Sequence, residues 1–360
     1  MTDSRIPPIQ TAIVGMPSGF LGISHETKVP ELEDDMILVR NEAVGLNPID
    51  TKLVGKLFTV NAIAGMDFAG TIVALGSKVT TAEAGIQVGD RVCGAVMGMH
   101  SLTPTVGAFA QYVGASDVVT LKIPPDMSFE AGASMGSAIG TIGLALFKSL
   151  ALPGSPLHPV QTPMTVLVYG GSTATGTMAI QILKLSGYRP IATCSPRNFN
   201  LVRSYGADAV FDYNAPHCVT DIRASTKNGL KYVLDCISEP ETMAFCYKCL
   251  GRSGGKYTGL EPYPAFLHTR PTVQPDWVLG PTLLGKPIGW AAPFAREGCP
   301  ETRRFALEWF TIAQKLLDEG LLKTHPIQRM GGGFEGVLAG LELLRSKRVS
   351  GRKLVYTVSL

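Results

Sequence analysis

The fold is decided by the stretch Thr165-Val-Leu-Val-Tyr-Gly-Gly-Ser-Thr-Ala-Thr-Gly-Thr-Met-Ala-Ile-Gln-Ile-Leu-Lys-Leu-Ser-Gly187. A β-branched apolar run ends in a turn of glycine and hydroxyl side chains, and apolar residues then recur at helical spacing. This pattern predicts a strand, a phosphate-binding turn and a helix. Free backbone N–H groups at a helix N-terminus, together with the helix dipole, favour a pyrophosphate. We therefore expect a dinucleotide cofactor.

The turn departs from the usual glycine fingerprint of dinucleotide-binding proteins. Gly170, Gly171 and Gly176 are kept, but Thr173 and Ala174 stand where the middle glycines are expected. By itself the segment also fits an ordinary strand-to-helix turn of a doubly wound sheet. In the cofactor interpretation, hydroxyl groups donate to the phosphates where close glycine contact is lost, and the predicted contacts are Ser172, Thr173, Ala174 and Thr175.

Length and composition restrict the class of protein. A chain of 360 residues with 45% hydrophobic and 17% charged residues predicts a well-buried globular protein, with either two domains or an α/β unit and a second lobe. The net charge of +3 comes without a block of Lys and Arg, which argues against nucleic-acid binding. The chain shows no apolar run of a membrane span or a signal peptide, so we expect no membrane association and a cytoplasmic location.

The number and spacing of the cysteines predict reduced thiols and not disulfides. Seven cysteines are an odd number without the spacing of a disulfide framework. Cys246 and Cys249 form a single C-x-x-C with no second pair, which makes a metal or redox role unsupported.

The pattern of predicted secondary structure changes near the proline-rich stretch of residues 152–163. Before it, residues 33–119 carry short alternating strands broken by Gly, Asp and Pro, which predicts a β-rich lobe. After it, strands alternate with helical patterns, which predicts a parallel sheet with crossover helices. A domain boundary is therefore expected in this stretch.

The end of the second predicted strand indicates which dinucleotide is bound. NAD enzymes usually place a carboxylate there, but this strand is followed by Ser195-Pro196-Arg197-Asn198. A hydroxyl, a guanidinium and an amide suit the 2′-phosphate of NADPH. Alternatively, Ser195 caps the following helix and Arg197 is solvated. Tyr213, after the third strand, either packs beside the adenine or is an exposed loop tyrosine.

Four further segments begin at Asn41, Ala64, Val88 and Gly107, and read NEAVGLNPIDTK, AGMDFAGTIVALG, VGDRVCG and GAFAQY. Taken together, they resemble the medium-chain dehydrogenase/reductase superfamily. The resemblance implies an α/β fold with a GroES-like β-rich catalytic lobe and a Rossmann doubly wound parallel sheet. It also implies a discontinuous catalytic domain of residues 1–157 and 310–360 around a Rossmann NADPH-binding domain of residues 158–309.

Zinc-containing members of this superfamily carry Cys and a His-Glu pair around the metal. The corresponding places here read Leu46-Asn47-Pro48 and Gly65-Met66-Asp67. Tetrahedral zinc needs thiolate, imidazole or carboxylate ligands that converge on one point. The resemblance is therefore to zinc-free members, and no metal is expected.

Finer detail lies in the stretches YGGSTAT from Tyr169, IATCSPRN from Ile191, AVFDY from Ala209, LDC from Leu234 and DWVLGPT from Asp276. These stretches resemble the trans-acting enoyl reductases that assist fungal polyketide synthases and polyketide synthase–peptide synthetase hybrids. The resemblance implies NADPH-dependent reduction, in secondary-metabolite biosynthesis, of an α,β-unsaturated polyketide thioester on a synthase acyl carrier domain. Two alternatives stay open: a zinc-free NADPH quinone or enone reductase, and a non-catalytic NADPH-binding partner of a synthase.

Enoyl reduction needs a donor near the thioester oxygen and a proton source. Lys52 is the first candidate for this catalytic role, although it can equally position the cofactor or lie on the surface. Thr141 is the second, since it could hydrogen-bond the nicotinamide amide or the substrate carbonyl, or only its own helix.

The remaining predicted positions follow from the resemblance and from the carboxyl edge of the sheet, where open α/β folds bind ligands. The expected cofactor contacts are Pro48, Ile49, Asp50, Thr51, Leu260, Glu261, Val349 and Ser350. The expected substrate contacts are Ser137, Ala138, Ile139, Gly140 and Thr141, with Pro281, Thr282, Leu283, Leu284 and Gly285 lining the acyl tunnel.

Residues 283–293 bear on oligomeric state. Many relatives pair an apolar strand here across a dimer axis, whereas this chain has two prolines and two glycines in the stretch. We therefore predict a monomer.

Overall fold

The computed structural model describes residues 6–55, 57–79 and 85–358. Its strands are β1 (Ile9–Gly15), β2 (Leu21–Lys28), β3 (Met36–Gly45), β4 (Asp67–Leu75), β5 (Arg91–Ala95), β6 (Tyr112–Ser116), β7 (Thr120–Lys122), β8 (Thr165–Tyr169), β9 (Arg189–Thr193), β10 (Ala209–Phe211), β11 (Tyr232–Asp235), β12 (Gly255–Gly259), β13 (Val273–Trp277), β14 (Ile327–Met330) and β15 (Lys353–Thr357). Its α-helices are α1 (Pro48–Lys52), α2 (Phe129–Gly132), α3 (Gly136–Gly143), α4 (Ala174–Leu185), α5 (Phe199–Ser204), α6 (Cys218–Ser225), α7 (Pro240–Cys249), α8 (Pro300–Asp318) and α9 (Gly333–Arg345).

The chain forms two compact units, and the first is discontinuous. It comprises Met1–Gly140 and Pro281–Leu360, while the second is Thr141–Gly280. The sequence predicted the boundaries between the two domains after residues 157 and 309 instead. The proline-rich stretch belongs to the second unit because the Pro153 carbonyl, before the predicted boundary at 157, accepts from the Tyr188 hydroxyl. All of helix α8 belongs to the first, because Arg303, before the predicted boundary at 309, pairs with Asp117 at 3.6 Å.

The first unit is built on a seven-stranded sheet with the order β14-β15-β3-β4-β5-β7, in which β6 also pairs with β3. All of its pairings are antiparallel except that of β14 with β15. The hairpin β1-β2 stands apart as a two-stranded sheet. Strand β15 therefore returns residues 353–357 to the sheet of the β-rich lobe, between β14 and β3.

The second unit is a six-stranded parallel sheet with the order β10-β9-β8-β11-β12-β13. Its middle strands are apolar and fully buried, as at Leu167, Val168 and Val233, which is typical of a parallel sheet covered on both faces. This arrangement confirms the predicted α/β fold class. The sequence pattern missed β13, whose central Pro275 lacks an N–H and is tolerated because the strand lies at the sheet edge.

Residues 283–293 form no strand. A short 3-10 helix, Gly280–Leu284, opens the stretch, and Ile288 makes an isolated bridge to Arg296. Monomer formation stays a prediction. Among the described residues, none of the helices has the length and apolar character needed to cross a membrane.

Candidate active site

The turn between β8 and α4 needs its glycines. Gly170 has φ +79°, in the left-handed region that favours glycine. A Cβ on Gly176 would lie 2.4 Å from the Gly170 carbonyl oxygen, and a Cβ on Gly171 would lie 2.7 Å from the Ala192 Cβ. The retained glycines therefore allow the first turn of α4 to approach the end of β8 closely.

Thr173 is the N-cap of α4. Its Oγ1 accepts from the Gly176 N–H at 2.9 Å and donates to the Gly170 carbonyl at 2.9 Å. Its hydroxyl hydrogen is thus directed at the turn itself, although the sequence predicted a donor to phosphate. Ser172, Ala174 and Thr175 are half-buried at the start of the helix, where first-turn N–H groups have no intrahelical acceptor. The turn fits a pyrophosphate through these positions.

The segment after β9 gathers polar groups. Ser195 precedes the 3-10 helix Pro196–Asn198 but its side chain makes no capping bond. Its Oγ lies instead 3.2 Å from the hydroxyl of Tyr213, which is 38% exposed. Pro196 and Arg197 are exposed, while Asn198 is buried. This hydroxyl pair, with an exposed Arg197 two residues after Ser195 in sequence and no carboxylate within 193–198, fits a phosphate monoester.

At the carboxyl edge of the same sheet, a buried carboxylate holds the loop after β11. Asp235 is fully buried and accepts from the hydroxyls of Thr242 at 2.6 Å and Tyr257 at 3.0 Å. Burial raises its pKa, and these bonds oppose that shift. It also accepts from the Ser238 N–H, and Ser238 Oγ accepts from the Leu260 N–H at 2.6 Å. Leu260 is therefore fixed through Asp235, and half-buried Glu261 follows it.

In the first unit, Asp67 is the centre of a buried polar network. One carboxylate oxygen accepts from the Ser137 N–H at 2.7 Å and the Ser137 hydroxyl at 2.5 Å. The other accepts from the Asn47 amide at 3.0 Å and from the ammonium of Lys353. Lys353 also donates to the Asn47 side-chain oxygen at 2.9 Å. We call these four residues the Asp67 network.

The network fixes helix α1. Asn47 caps α1, and its side chain and that of Asp50 satisfy each other's backbone N–H groups. The Asp50 carboxylate accepts from the Asn47 N–H at 2.7 Å, while its other oxygen is buried with no partner among the described residues. Burial, with the charge of Asp67, raises the pKa of Asp50 to about 7. Asp50 therefore holds the first turn of α1, and its contact with a cofactor stays a prediction.

The other predicted residues of α1 lie on its outer side. Pro48 and Lys52 are exposed, and Ile49 and Thr51 are half-buried. The Thr51 hydroxyl donates to the Pro48 carbonyl at 2.7 Å, so it is used within the helix. Lys52 is thus an exposed ammonium on a short helix whose N-terminus is fixed by buried groups.

The donors at the expected zinc position do not fit zinc. Asn47 offers a neutral amide, and the carboxylate of Asp67 already contacts the Lys353 ammonium. Burial and the Lys353 charge lower the pKa of neighbouring His325 to about 4. Among the described residues, no group of three or more His, Cys, Asp or Glu is arranged to hold a metal ion.

The predicted substrate segment of α3 is largely buried. Ala138, Ile139 and Gly140 are buried, and the Ile139 carbonyl accepts from the Trp309 indole at 2.9 Å. The Ser137 hydroxyl is used by Asp67. Gly140 lies against Leu283, because a Cβ built there would be 2.9 Å from the Leu283 Cδ1. The structure therefore brings Gly140, a predicted substrate contact, against Leu283, a predicted tunnel residue.

The last predicted positions lie in turns. Pro281, Thr282, Leu284 and Gly285 are half-buried, and Leu283 is buried. Val349 is half-buried and Ser350 exposed in the turn between α9 and β15. In the second unit, half-buried Thr141 lies beside Gly280, where an added Cβ would be 3.9 Å from its Oγ1.

Sequence reasoning missed the roles of Asn47, Asp67, Lys353 and Asp235. In the sequence Asp67 stands out only as a departure from the zinc pattern. Nothing local signals that it pairs with Lys353, because the two are 286 positions apart. Lys353 is the first residue of an otherwise apolar strand, where a surface lysine is equally common.

Replacement of Lys353 by Met should destabilise the protein strongly. The side chains of Lys353 and Asp67 are 3% and 0% exposed, so the variant leaves a buried carboxylate without its cation. We expect a loss of about 3–5 kcal/mol in the free energy of unfolding, measured by urea denaturation. The exposed pair of Lys78 and Asp34 is the control, and Lys78→Met should cost less than about 1 kcal/mol. Equal losses would contradict the network's role.

Asp50→Asn should change how stability depends on pH. The pKa of Asp50 is 3.8 in the unfolded chain and about 7 in the folded protein. The contribution of this group to folding stability is therefore fully present below pH 3.8, and it is lost as the pH rises through about 7. An Asn side chain does not ionise, so the variant does not lose stability over this pH range. The melting temperature of the variant relative to wild type should therefore increase between pH 5 and pH 8. A constant difference across this range would show that Asp50 is already ionised at pH 5.

Comparison with known proteins agrees with this geometry. Residues 33–125 match the alcohol dehydrogenase GroES-like domain family, and residues 174–258 match the zinc-binding dehydrogenase family. Among solved structures, the CurK enoyl reductase has a TM-score of 0.73 at 18% identity, covering 98% of this chain and 99% of its own. A protein from Rhizobium etli, described as a zinc-dependent alcohol dehydrogenase, has a TM-score of 0.79 at 21% identity, covering 98% of both chains. These likenesses show the fold.

Curated relatives are much more similar in sequence. Trans-enoyl reductase FSL5 of Gibberella zeae is 65% identical over 355 residues, covering 99% of both chains. A trans-enoyl reductase of Gibberella fujikuroi is 52% identical over 353 residues, covering 98% of this chain and 99% of its own. With the two-unit fold and a catalytic lobe whose donors do not fit zinc, this similarity means that the chain belongs to the trans-enoyl reductases of the medium-chain dehydrogenase/reductase superfamily.

Proposed function

We propose that this protein uses NADPH to reduce an α,β-unsaturated polyketide thioester that a synthase presents on its acyl carrier domain. The observation that carries the proposal is the pairing of a phosphate-binding turn with a polar, carboxylate-free segment at Ser195–Asn198, in a member of the trans-enoyl reductases. The medium-chain dehydrogenase fold supports a nicotinamide cofactor in general. The choice of NADPH rests on the residues.

The second unit supplies the phosphate contacts. The N–H groups at the start of α4 suit the pyrophosphate, and the hydroxyl of Ser172 or Thr175 can donate to it. Ser195, Tyr213 and Arg197 suit the 2′-phosphate, since a guanidinium binds a phosphate by charge-assisted hydrogen bonds. Bound NADPH would supply a hydride to the substrate.

The substrate's own chemistry defines what the residues must do. When a hydride adds to the β-carbon, the C=C electron pair moves toward the thioester oxygen, and a proton must then reach the α-carbon. We assign Lys52 to the oxygen, because an ammonium can donate to it as negative charge develops, or give up the proton. Helix α1 is held by Asn47 and Asp50, so the position of Lys52 is preorganised.

A carrier domain would meet a basic surface beside α1. Helix α9 packs against α1, and the turn that follows α9 exposes Lys347, Arg348 and Arg352. Carrier domains are typically acidic, so charge complementarity favours this side of the first unit for delivery of the thioester.

We also propose that the protein acts as a monomer.

Arg197→Ala should weaken NADPH binding without affecting NADH. A charge-assisted hydrogen bond contributes about 1.5–3 kcal/mol, which corresponds to a roughly 10–100-fold higher Kd for NADPH. Fluorescence titration with both cofactors measures the change. Arg189→Ala, at the opposite end of β9, is the matched control and should leave both affinities unchanged. A parallel loss for NADH and NADPH would contradict the assignment of the 2′-phosphate site.

Lys52→Met should lower kcat for a pantetheine enoyl thioester about 10²–10³-fold, with NADPH affinity unchanged. Lys52→Arg should keep part of the activity, because it keeps a cationic donor. If Lys52→Met instead raises the Kd for NADPH and leaves kcat intact, Lys52 positions the cofactor.

The same assay separates the alternative functions. An enoyl reductase turns over the pantetheine thioester faster than free quinones or small enones, whereas a quinone reductase shows the reverse order. A non-catalytic binding partner would bind NADPH but would not oxidise it, whether the thioester or a quinone is supplied.

A further inference from the structure

The Rossmann unit carries the positive charge of the molecule. Residues 141–280 contain twelve Lys and Arg against eight Asp and Glu, a net charge of +4, whereas the rest of the chain has a net charge of −1. The excess is not spread evenly over this unit.

Between Arg223 and Arg270, acidic and basic residues lie at opposite edges of the parallel sheet. The acids follow the carboxyl ends of strands or begin α7, and they are Asp235, Glu239, Glu241 and Glu261. The basic residues end α6 or α7, or lie at or before the starts of strands, and they are Arg223, Lys227, Lys231, Lys248, Arg252, Lys256 and Arg270. The basic edge is thus opposite the edge that carries the phosphate-binding turn.

A cleft of about 630 Å³ opens at this basic edge. We call it the amino-edge cleft, and it is lined by Arg223, Ala244, Tyr247, Lys248, Leu250, Arg252, Thr269 and Arg270. Four of its eight lining residues are cationic and none is acidic, within the described part of the chain. Such a surface attracts a negatively charged partner.

Two of the cations are held in place by hydrogen bonds. Arg270 donates to the carbonyls of Tyr247 at 2.6 Å and Gly251 at 2.7 Å. It therefore supplies hydrogen bonds to carbonyl groups at the C-terminal end of α7, which lack donor partners within the helix. Arg223 donates to the Asn228 side chain at 2.8 Å. Lys248 and Arg252 are exposed at the mouth. Helix dipoles account for cations in the last turns of α6 and α7, but Arg252 lies outside both helices.

We propose that the amino-edge cleft docks an acidic polypeptide segment of the partner synthase, and this identity of the partner rests on the proposed function. An extended segment with Asp or Glu side chains matches a concave surface with several separated cations. A synthase held there leaves the opposite edge of the sheet free for cofactor exchange. Tethering also raises the effective concentration of the carrier-bound substrate.

The test uses the full chain and a fluorescent peptide of alternating Glu and Gly, with a Gln-Gly peptide as the uncharged comparison. The test variant is Lys248→Glu with Arg252→Glu. The matched control is Arg304→Glu with Lys323→Glu, which makes the same change in net charge at exposed sites of the first unit. Because the contacts are ionic and exposed, binding is measured by anisotropy at low salt.

We expect the acidic peptide to bind wild type and the control, and to bind the test variant at least about tenfold more weakly. Equal affinity for the test variant and wild type, or equal binding of the Gln-Gly peptide, would overturn the proposal. Inorganic tripolyphosphate is titrated separately. Saturable binding of tripolyphosphate without peptide binding would assign the cleft to a small phosphate ligand and also overturn it.

Turnover of the pantetheine enoyl thioester distinguishes this proposal from the proposed function. The test variant should reduce this free substrate at the wild-type rate, because the cleft lies away from the phosphate-binding turn. Absence of turnover by wild type would contradict the proposed function, whereas the peptide titration would still decide whether the cleft binds acidic chains.

Discussion

The contact of Asp67 with Lys353 is the constraint on which the catalytic lobe depends. It joins β4 to the first residue of β15, and through Asn47 and Ser137 it also fixes the starts of α1 and α3. Four separate parts of the chain therefore meet at one buried carboxylate. Burial of a carboxylate and an ammonium is costly unless each is fully hydrogen-bonded, so the pair specifies one arrangement of these segments.

This contact also explains how the lobe is organised without the ligands of its zinc-containing relatives. Asn47 replaces a ligand with an amide that binds both members of the ion pair. The cation at this point is thus a side chain of the protein, fixed by β15. In the proposed function the donor to the thioester oxygen is Lys52, which is carried on the helix that the network holds.

The sequence predicted most of the Rossmann unit because its signals are local. Buried parallel strands are continuous apolar runs, and Gly170, Gly171 and Gly176 mark a turn whose close backbone contacts exclude a Cβ. The sequence placed Ser195 and Tyr213 after the second and third predicted strands, and the contact between them is seen only in the structure. Thr173 was harder to interpret, because whether a hydroxyl faces a ligand or its own turn depends on side-chain geometry.

The parts that escaped prediction depend on contacts between distant segments. No local pattern shows that Lys353 is buried against Asp67, or that the Asp50 carboxylate turns inward and leaves Lys52 outside. Likewise, β13 is visible only once its neighbour β12 is in place, because Pro275 argues against a strand on propensity alone. The boundary predicted after residue 309 differs from the observed one for the same reason, because Arg303 pairs with Asp35 and Asp117, which are far from it in sequence.

The central claim is that this protein transfers a hydride to the β-carbon of a carrier-bound enoyl thioester. It is tested most directly with NADPH deuterated at the transferred position and an acyl carrier domain loaded with an α,β-unsaturated chain. Mass spectrometry of the released acyl chain should find one deuterium at the β-carbon and a solvent hydrogen at the α-carbon. An acyl chain that stays unsaturated, while NADPH is bound or is oxidised by quinones, would contradict the account.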